Sequence, residues 1–176
     1  MTADDLKAYV RSVPDYPAQG VVFRDLSPLL ADATALRMAV ATLADRLRDA
    51  GATKVAGMEA RGFIFGAAVA VLASCAFVPI RKAGKLPVAT IGINYALEYG
   101  SDRLEIDPST IVSADRIAIV DDLIATGGTA LAAADLIELA GAKVVAAEFV
   151  IELMGLGGGA ALRARGIPTA ALLTYP

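Results

Sequence analysis

Histidine and tryptophan are absent from these 176 residues, and cysteine occurs once, at position 75. Each absence removes a class of chemistry. Without histidine there is no Ser–His or Cys–His triad and no imidazole metal ligand, so proton transfer falls to Asp, Glu, Lys, Tyr or the substrate. With a single thiol there is no intrachain disulfide and no thiolate zinc site. Cys75 lies in an apolar run and reads as a buried, unreactive thiol. A surplus of basic charge is missing too: 16 Lys and Arg against 19 Asp and Glu give a net charge of -3. That argues against a dedicated nucleic-acid surface. The first residues, Met1-Thr2-Ala3-Asp4-Asp5-Leu6-Lys7, carry no apolar signal-peptide core. The long uncharged run at 62–80 contains Ser74 and Pro79 and divides into a helix and a strand, so no membrane span is expected. Together these absences lead to the expectation of a cytoplasmic protein.

What is present alternates between strand and helix patterns. Leu36, Val40, Leu43 and Leu47 share one face of a helix at about 33–50, which Gly51 ends. Lys54 to Met58 reads as a short buried strand, followed by a helix at about 62–73 and a strand at about 76–81. The basic stretch 81–87 contains Gly84 and Pro87 and reads as a loop. Residues 90–106 look like a loop flanked by short strands. A strand at 116–120, a helix at 129–140, a strand at 144–151, a short helix at about 158–165 and a strand at 170–174 complete the chain. This order predicts an α/β fold with a central, mostly parallel sheet flanked by helices. One domain, 1–176, is expected, burying roughly two thirds of its unfolded surface.

The most informative run is Ile119-Val120-Asp121-Asp122-Leu123-Ile124-Ala125-Thr126-Gly127-Gly128-Thr129. An apolar strand runs into two carboxylates, then into a Gly-rich turn and a helix. The unpaired amides and the dipole of a helix start favour an anion, and Gly127 and Gly128 allow the backbone to approach a phosphate. Thr126 and Thr129 can add hydroxyl donors. Carboxylates just before the turn can accept hydrogen bonds from a sugar. Neither the Walker A pattern nor Gly-x-Gly-x-x-Gly is present here.

The run resembles the phosphoribosyl pyrophosphate (PRPP) motif of type I phosphoribosyltransferases. Three further segments resemble the adenine-specific subfamily: Gly20-Val21-Val22-Phe23-Arg24-Asp25-Leu26-Ser27-Pro28, Glu59-Ala60-Arg61-Gly62-Phe63, and Arg81-Lys82-Ala83-Gly84-Lys85-Leu86-Pro87 with Tyr95-Ala96-Leu97-Glu98-Tyr99-Gly100. The likeness extends from about residue 15 to 159. It implies the type I phosphoribosyltransferase fold with a small N-terminal hood at about 15–30, and conversion of adenine and PRPP to AMP and pyrophosphate in purine salvage.

By that resemblance Phe23 stacks on adenine, with Leu123 behind it, while the carbonyl of Val22 and the N–H of Arg24 read the N6 and N1 edge. Asp121 and Asp122 hold ribose hydroxyls, and Ala125, Thr126, Gly127, Gly128 and Thr129 hold the 5′-phosphate. Arg61, Arg81 and Lys85 neutralise the leaving pyrophosphate, and Glu98 handles a proton at the purine N7 edge. The resemblance also implies a cis peptide between Glu59 and Ala60, a homodimer, and Mg²⁺ held mainly by substrate and water rather than by protein ligands. Val88-Ala89 and Ala83 depart from relatives that carry charge there. A phosphoribosyltransferase for another purine base, or a non-catalytic PRPP-sensing regulator on the same fold, are the alternatives. Acidic composition and intact loops weigh against the regulator.

Overall fold

The computed structural model describes residues 4–96 and 101–176. Its core is a seven-stranded sheet. In chain order the strands are β3 (Lys54–Met58), β4 (Ala76–Lys82), β5 (Ile91–Ala96), β6 (Ser101–Ile106), β7 (Arg116–Ile124), β8 (Lys143–Leu153) and β9 (Thr169–Tyr175). Across the sheet they run β5-β6-β4-β3-β7-β8-β9. The β4, β3, β7, β8 and β9 neighbours pair in parallel. Within 90–106, read from the sequence as a loop flanked by short strands, β5 and β6 pair antiparallel and extend the sheet past β4.

A separate antiparallel pair, β1 (Arg11–Pro14) and β2 (Val22–Asp25), leads into the short helix α1 (Ser27–Ala31). This is the expected hood, beginning a few residues earlier than the sequence suggested. Asp15 (φ 56°) and a cis Tyr16–Pro17 peptide turn the chain between the two strands.

The helices divide over the two faces. Helix α2 (Ala33–Asp49) is started by Asp32, whose carboxylate accepts the N–H groups of Thr34 and Ala35 at 2.9 and 2.8 Å. It buries Val40, Leu43 and Leu47 with Phe65 and Val69 of α3 (Gly62–Ala73), against Val55 and Val120 of the sheet. On the opposite face α4 (Gly128–Leu139) and α5 (Gly158–Ala164) bury Ala133, Leu136, Ile137 and Leu162 against Ile117, Ile119 and Phe149. The central strands β3, β7 and β8 therefore contribute residues to two cores, as expected where a parallel sheet is covered on both sides. Cys75 is half-buried rather than fully enclosed; its Sγ lies 3.2 Å from the carbonyl oxygen of Ala52, and burial raises its pKa. Among the described residues, no helix is long and apolar enough to cross a membrane.

The connectivity reverses between β3 and β7. From β3 the chain crosses through α3 to β4 on one side, and from β7 it crosses through α4 to β8 on the other. The loops leaving the carboxyl ends of these two neighbours therefore diverge to opposite faces and leave a crevice between them. Open α/β sheets bind ligands at such a point.

Candidate active site

A cleft of about 360 Å³ occupies that crevice. One wall comes from the end of β3, Met58 to Arg61; another comes from the end of β7 and the start of α4, Asp121 to Ala130. The expected cis peptide between Glu59 and Ala60 is present.

Strand β7 runs four residues further than the sequence pattern suggested, so Asp121 and Asp122 belong to it. Asp121 still pairs across to Phe149. Adjacent strand residues alternate in direction along β7, yet the two carboxylates stay close enough to act on each other. Asp121 lies against the start of α3: a Cβ on Gly62 would come within 2.7 Å of Asp121 Oδ1 and 3.3 Å of the Val120 carbonyl. Only glycine lets the helix start this close to β7. Burial, then the neighbouring charge of Asp122, pushes the Asp121 carboxyl well above the usual range. Asp122 is 6% exposed and its Oδ2 sits 2.7 Å from Arg61 Nε. Burial raises its pKa, against the pull of the Arg61 guanidinium.

Beyond β7, Gly127 adopts φ 85° and caps α4 without a side-chain hydrogen bond. The first amides of the helix are left to whatever enters the cleft, which Thr126, Gly127, Gly128, Thr129 and Ala130 line. The predicted phosphate loop and the two carboxylates thus share one cavity.

Cations arrive differently from the expectation. Arg61 lines the cleft. Arg81 is held away from it: its Nε donates to Glu59 Oε2 at 3.0 Å and its guanidinium lies 5.7 Å from the Phe63 ring centroid. Glu59 also accepts the Lys82 N–H at 3.0 Å, and these bonds lower its pKa. Lys85 is exposed and does not line the cleft. Lys82 does, paired with Asp102 at 3.1 Å, and the Tyr95 hydroxyl donates to the same carboxylate at 3.4 Å. Sequence reading counted Lys82 among the loop's basic residues fitted to pyrophosphate but did not name it as a site residue, and it did not single out Asp102. No linear signal joins them, because the β4–β6 pairing brings them together. Glu98 lies outside the described residues.

A second cavity of about 260 Å³ lies under the hood, lined by Phe23, Arg24, Leu26, Leu30, Ile64 and Phe65 among others. Arg61 and Asp122 line both cavities. Phe23 and Leu123, expected on opposite faces of one ligand, therefore line different cavities, with the Arg61–Asp122 pair between. The Arg61 guanidinium stands 6.0 Å from the Phe23 ring centroid. Val22 is exposed and lines neither space, while the Arg24 guanidinium lies over the Tyr175 ring at 4.1 Å and donates to Ser12 Oγ.

Comparison with known proteins agrees with this geometry. The family model described as "Phosphoribosyl transferase domain" matches residues 29–154. The chain is 58% identical to the adenine phosphoribosyltransferase of Novosphingobium aromaticivorans, covering 100% of this chain and 99% of that one. It is 55% identical to that of Erythrobacter litoralis, covering 99% and 98%. Among solved structures, the adenine phosphoribosyltransferase of Thermoanaerobacter pseudethanolicus superimposes with a TM-score of 0.92 at 40% identity, covering 99% and 100%. The Giardia lamblia enzyme, complexed with 9-deazaadenine, gives 0.93 at 32% identity, covering 100% and 99%. With the switch-point cleft, the open α4 start and the hood all in place, the chain belongs to the phosphoribosyltransferase family, in its adenine phosphoribosyltransferase branch.

Proposed function

We propose that the protein joins adenine to the ribose of PRPP, giving AMP and pyrophosphate. The observation that carries this is the convergence of two helix starts on one cleft. The start of α4 supplies open amides and hydroxyls for a 5′-phosphate, Arg61 precedes α3 on the diphosphate side, and Asp121 and Asp122 stand between them. A molecule carrying a monophosphate and a diphosphate on one sugar matches that spacing of charge. The hood cavity beside it, with Phe23 in its lining, suits a flat base.

Displacement at the anomeric carbon builds positive charge on the ribose as pyrophosphate leaves. Asp121 and Asp122 accept hydrogen bonds from the ribose hydroxyls and favour that charge, while Arg61 and the basic 81–85 segment favour the departing diphosphate. Arg81 and Lys85 reach the leaving group only by leaving their present positions, whereas Lys82 is already in the cleft. Glu98 exchanges a proton at the purine's N7 edge. The main chain of Val22 and Arg24 reads adenine, with Phe23 and Leu123 on its two faces, once Arg61 no longer stands between them.

Mg²⁺ fits this donor set. Among the described residues, no three carboxylate, thiol or imidazole groups form a cage, but the hard oxygens of Asp121 and Asp122 lie where ribose hydroxyls would be. When bound to the diphosphate, Mg²⁺ would offset its negative charge. We read the chain as a single domain acting as a cytoplasmic homodimer. Supporting the dimer, α3 is apolar on all sides yet leaves Ile64 46% and Val71 82% exposed.

Incubation with PRPP, Mg²⁺ and adenine, guanine or hypoxanthine in turn tests the reading. AMP should form fastest. Equal or faster formation of GMP or IMP would overturn the choice of base.

A further inference from the structure

We propose that Gly158 is a positioning residue for the 5′-phosphate loop. The turn Gly157-Gly158-Gly159 and helix α5 would act as a brace that sets where the loop's amides point. This rests on the reading that residues 125–129 hold the 5′-phosphate.

The brace is a closed ring of contacts. The Gly158 N–H donates to the Ala125 carbonyl at 2.9 Å. The two glycines touch in both directions: a Cβ on Gly127 would come within 2.8 Å of Gly158 Cα, and a Cβ on Gly158 would come within 2.4 Å of the Ala125 oxygen and 2.6 Å of the Gly127 nitrogen. All these neighbours are backbone atoms, which cannot move aside as a flexible side chain can. The loop therefore has its path only because neither residue carries a side chain.

Helix α5 is fixed in turn from β8. Glu152, 5% exposed, is the register partner of Ile124 at the end of β7. Its carboxylate seats against Gly159, where a Cβ would meet Oε1 at 2.0 Å. Arg163 Nη2 donates to Glu152 Oε1 at 2.9 Å, and Nη1 donates to the Thr169 carbonyl at 3.2 Å. The ring thus runs from β7 to β8, through Glu152 to α5, and through Gly158 back to the loop that follows β7. None of these brace residues lines the cleft. They act through the loop, and so their effect should fall on one end of the substrate alone.

The test compares Gly158→Ala with Gly128→Val, whose side chain stands in the loop itself. Calorimetry with ribose 5-phosphate reads the phosphate loop, and calorimetry with Mg²⁺–pyrophosphate reads the other end of the cleft. For Gly158→Ala we expect a loss of about tenfold or more in ribose 5-phosphate affinity and a matching rise in the KM for PRPP, since small displacements of positioning groups are costly. Pyrophosphate affinity and the KM for adenine should stay at wild-type values. A uniform loss at both ends would mean general destabilisation and would overturn the brace. If Gly128→Val loses ribose 5-phosphate binding but a folded Gly158→Ala keeps it, the brace alone is overturned. If folded Gly128→Val binds ribose 5-phosphate normally, the phosphate reading itself falls, and the brace with it. Should Gly158→Ala not fold, hydrogen exchange on the wild-type protein decides. Ribose 5-phosphate should slow exchange of the Gly158 amide, and unchanged exchange at saturation would overturn the proposal.

Discussion

Arg61 and Asp122 satisfy each other across the boundary of the two cavities, Nε to Oδ2 at 2.7 Å, with the guanidinium near the face of Phe23. Both ends of this pair are assigned to substrate, Arg61 to the diphosphate and Asp122 to the ribose. Substrate must therefore replace an existing ion pair rather than fill an unpaired site. The exchange is between like interactions, a carboxylate for a diphosphate, so it need not be costly.

Replacing Arg61 tests that assignment. Arg61→Gln should lower kcat/KM for PRPP by roughly 10²-fold, the scale of losing one charge-stabilising group in a preorganised site. The arginine side chain is more than half exposed but its partner Asp122 is buried, so the melting temperature at pH 7 should also fall as Asp122 loses its counter-charge. Near-wild-type kcat/KM in the variant would remove Arg61 from the diphosphate.

Asp121 sets a stability cost against function. Its folded pKa is raised, first by burial and then by Asp122, so the folded chain binds this proton more tightly than the unfolded chain does. Stability is therefore lost as pH rises from the ordinary carboxylate range through the raised value. Asp121→Asn should melt higher than wild type at pH 7 and yet turn over more slowly. The gap in melting temperature should close as pH falls toward about 4, where the unfolded carboxyl also takes up its proton. A variant that melts lower at pH 7 would contradict this account.

Glu98→Gln should lower turnover by about 10²–10⁴-fold, the usual worth of general acid–base catalysis, with a modest change in PRPP affinity. No histidine is available to substitute. Steady-state constants for Glu98→Gln and Glu98→Ala, with circular dichroism to confirm folding, provide the check. Wild-type turnover in both would leave positioning and electrostatics to carry the reaction.

Val71 is 82% exposed on an otherwise apolar helix. If α3 is the self-association face, Val71→Glu should convert a dimer to a monomer at micromolar concentration without unfolding it. Sedimentation velocity reads the result. A monomeric wild type, or a variant that stays dimeric, would move the interface elsewhere or abolish it.

The helices and parallel strands were legible because local pattern decides them. Leu36, Val40, Leu43 and Leu47 announce α2, and the Gly-Gly turn announces the start of α4. The end of β7 was not legible, since a pattern of apolar residues stops at Val120 while the strand continues through two acids. On the proposed function those acids stand there because the site uses them, and the break in pattern then marks function rather than a boundary. The loop motif showed basic residues but not which one faces inward. That depends on Glu59 holding Arg81 and on β6 bringing Asp102 to Lys82, pairings set by contacts far along the chain. Gly158 was visible as one glycine in a run, but its contact with Gly127 exists only once β7 and β8 lie side by side.

The reversal of connectivity between β3 and β7 has a thermodynamic consequence. In the proposed reading the diphosphate side of the cleft belongs to one crossover and the monophosphate side to the other, joined where β3 pairs with β7 and where Arg61 meets Asp122. A substrate with phosphate groups at both ends, touching both sides, has nothing equivalent to grip in the unfolded chain. Its binding free energy should therefore add in full to the work of unfolding, growing with the logarithm of its concentration. Ribose 5-phosphate or pyrophosphate alone, each held on one side, should protect the chain less than PRPP. In heat, proteolysis or denaturant the substrate would then behave as a clamp across the middle of the sheet.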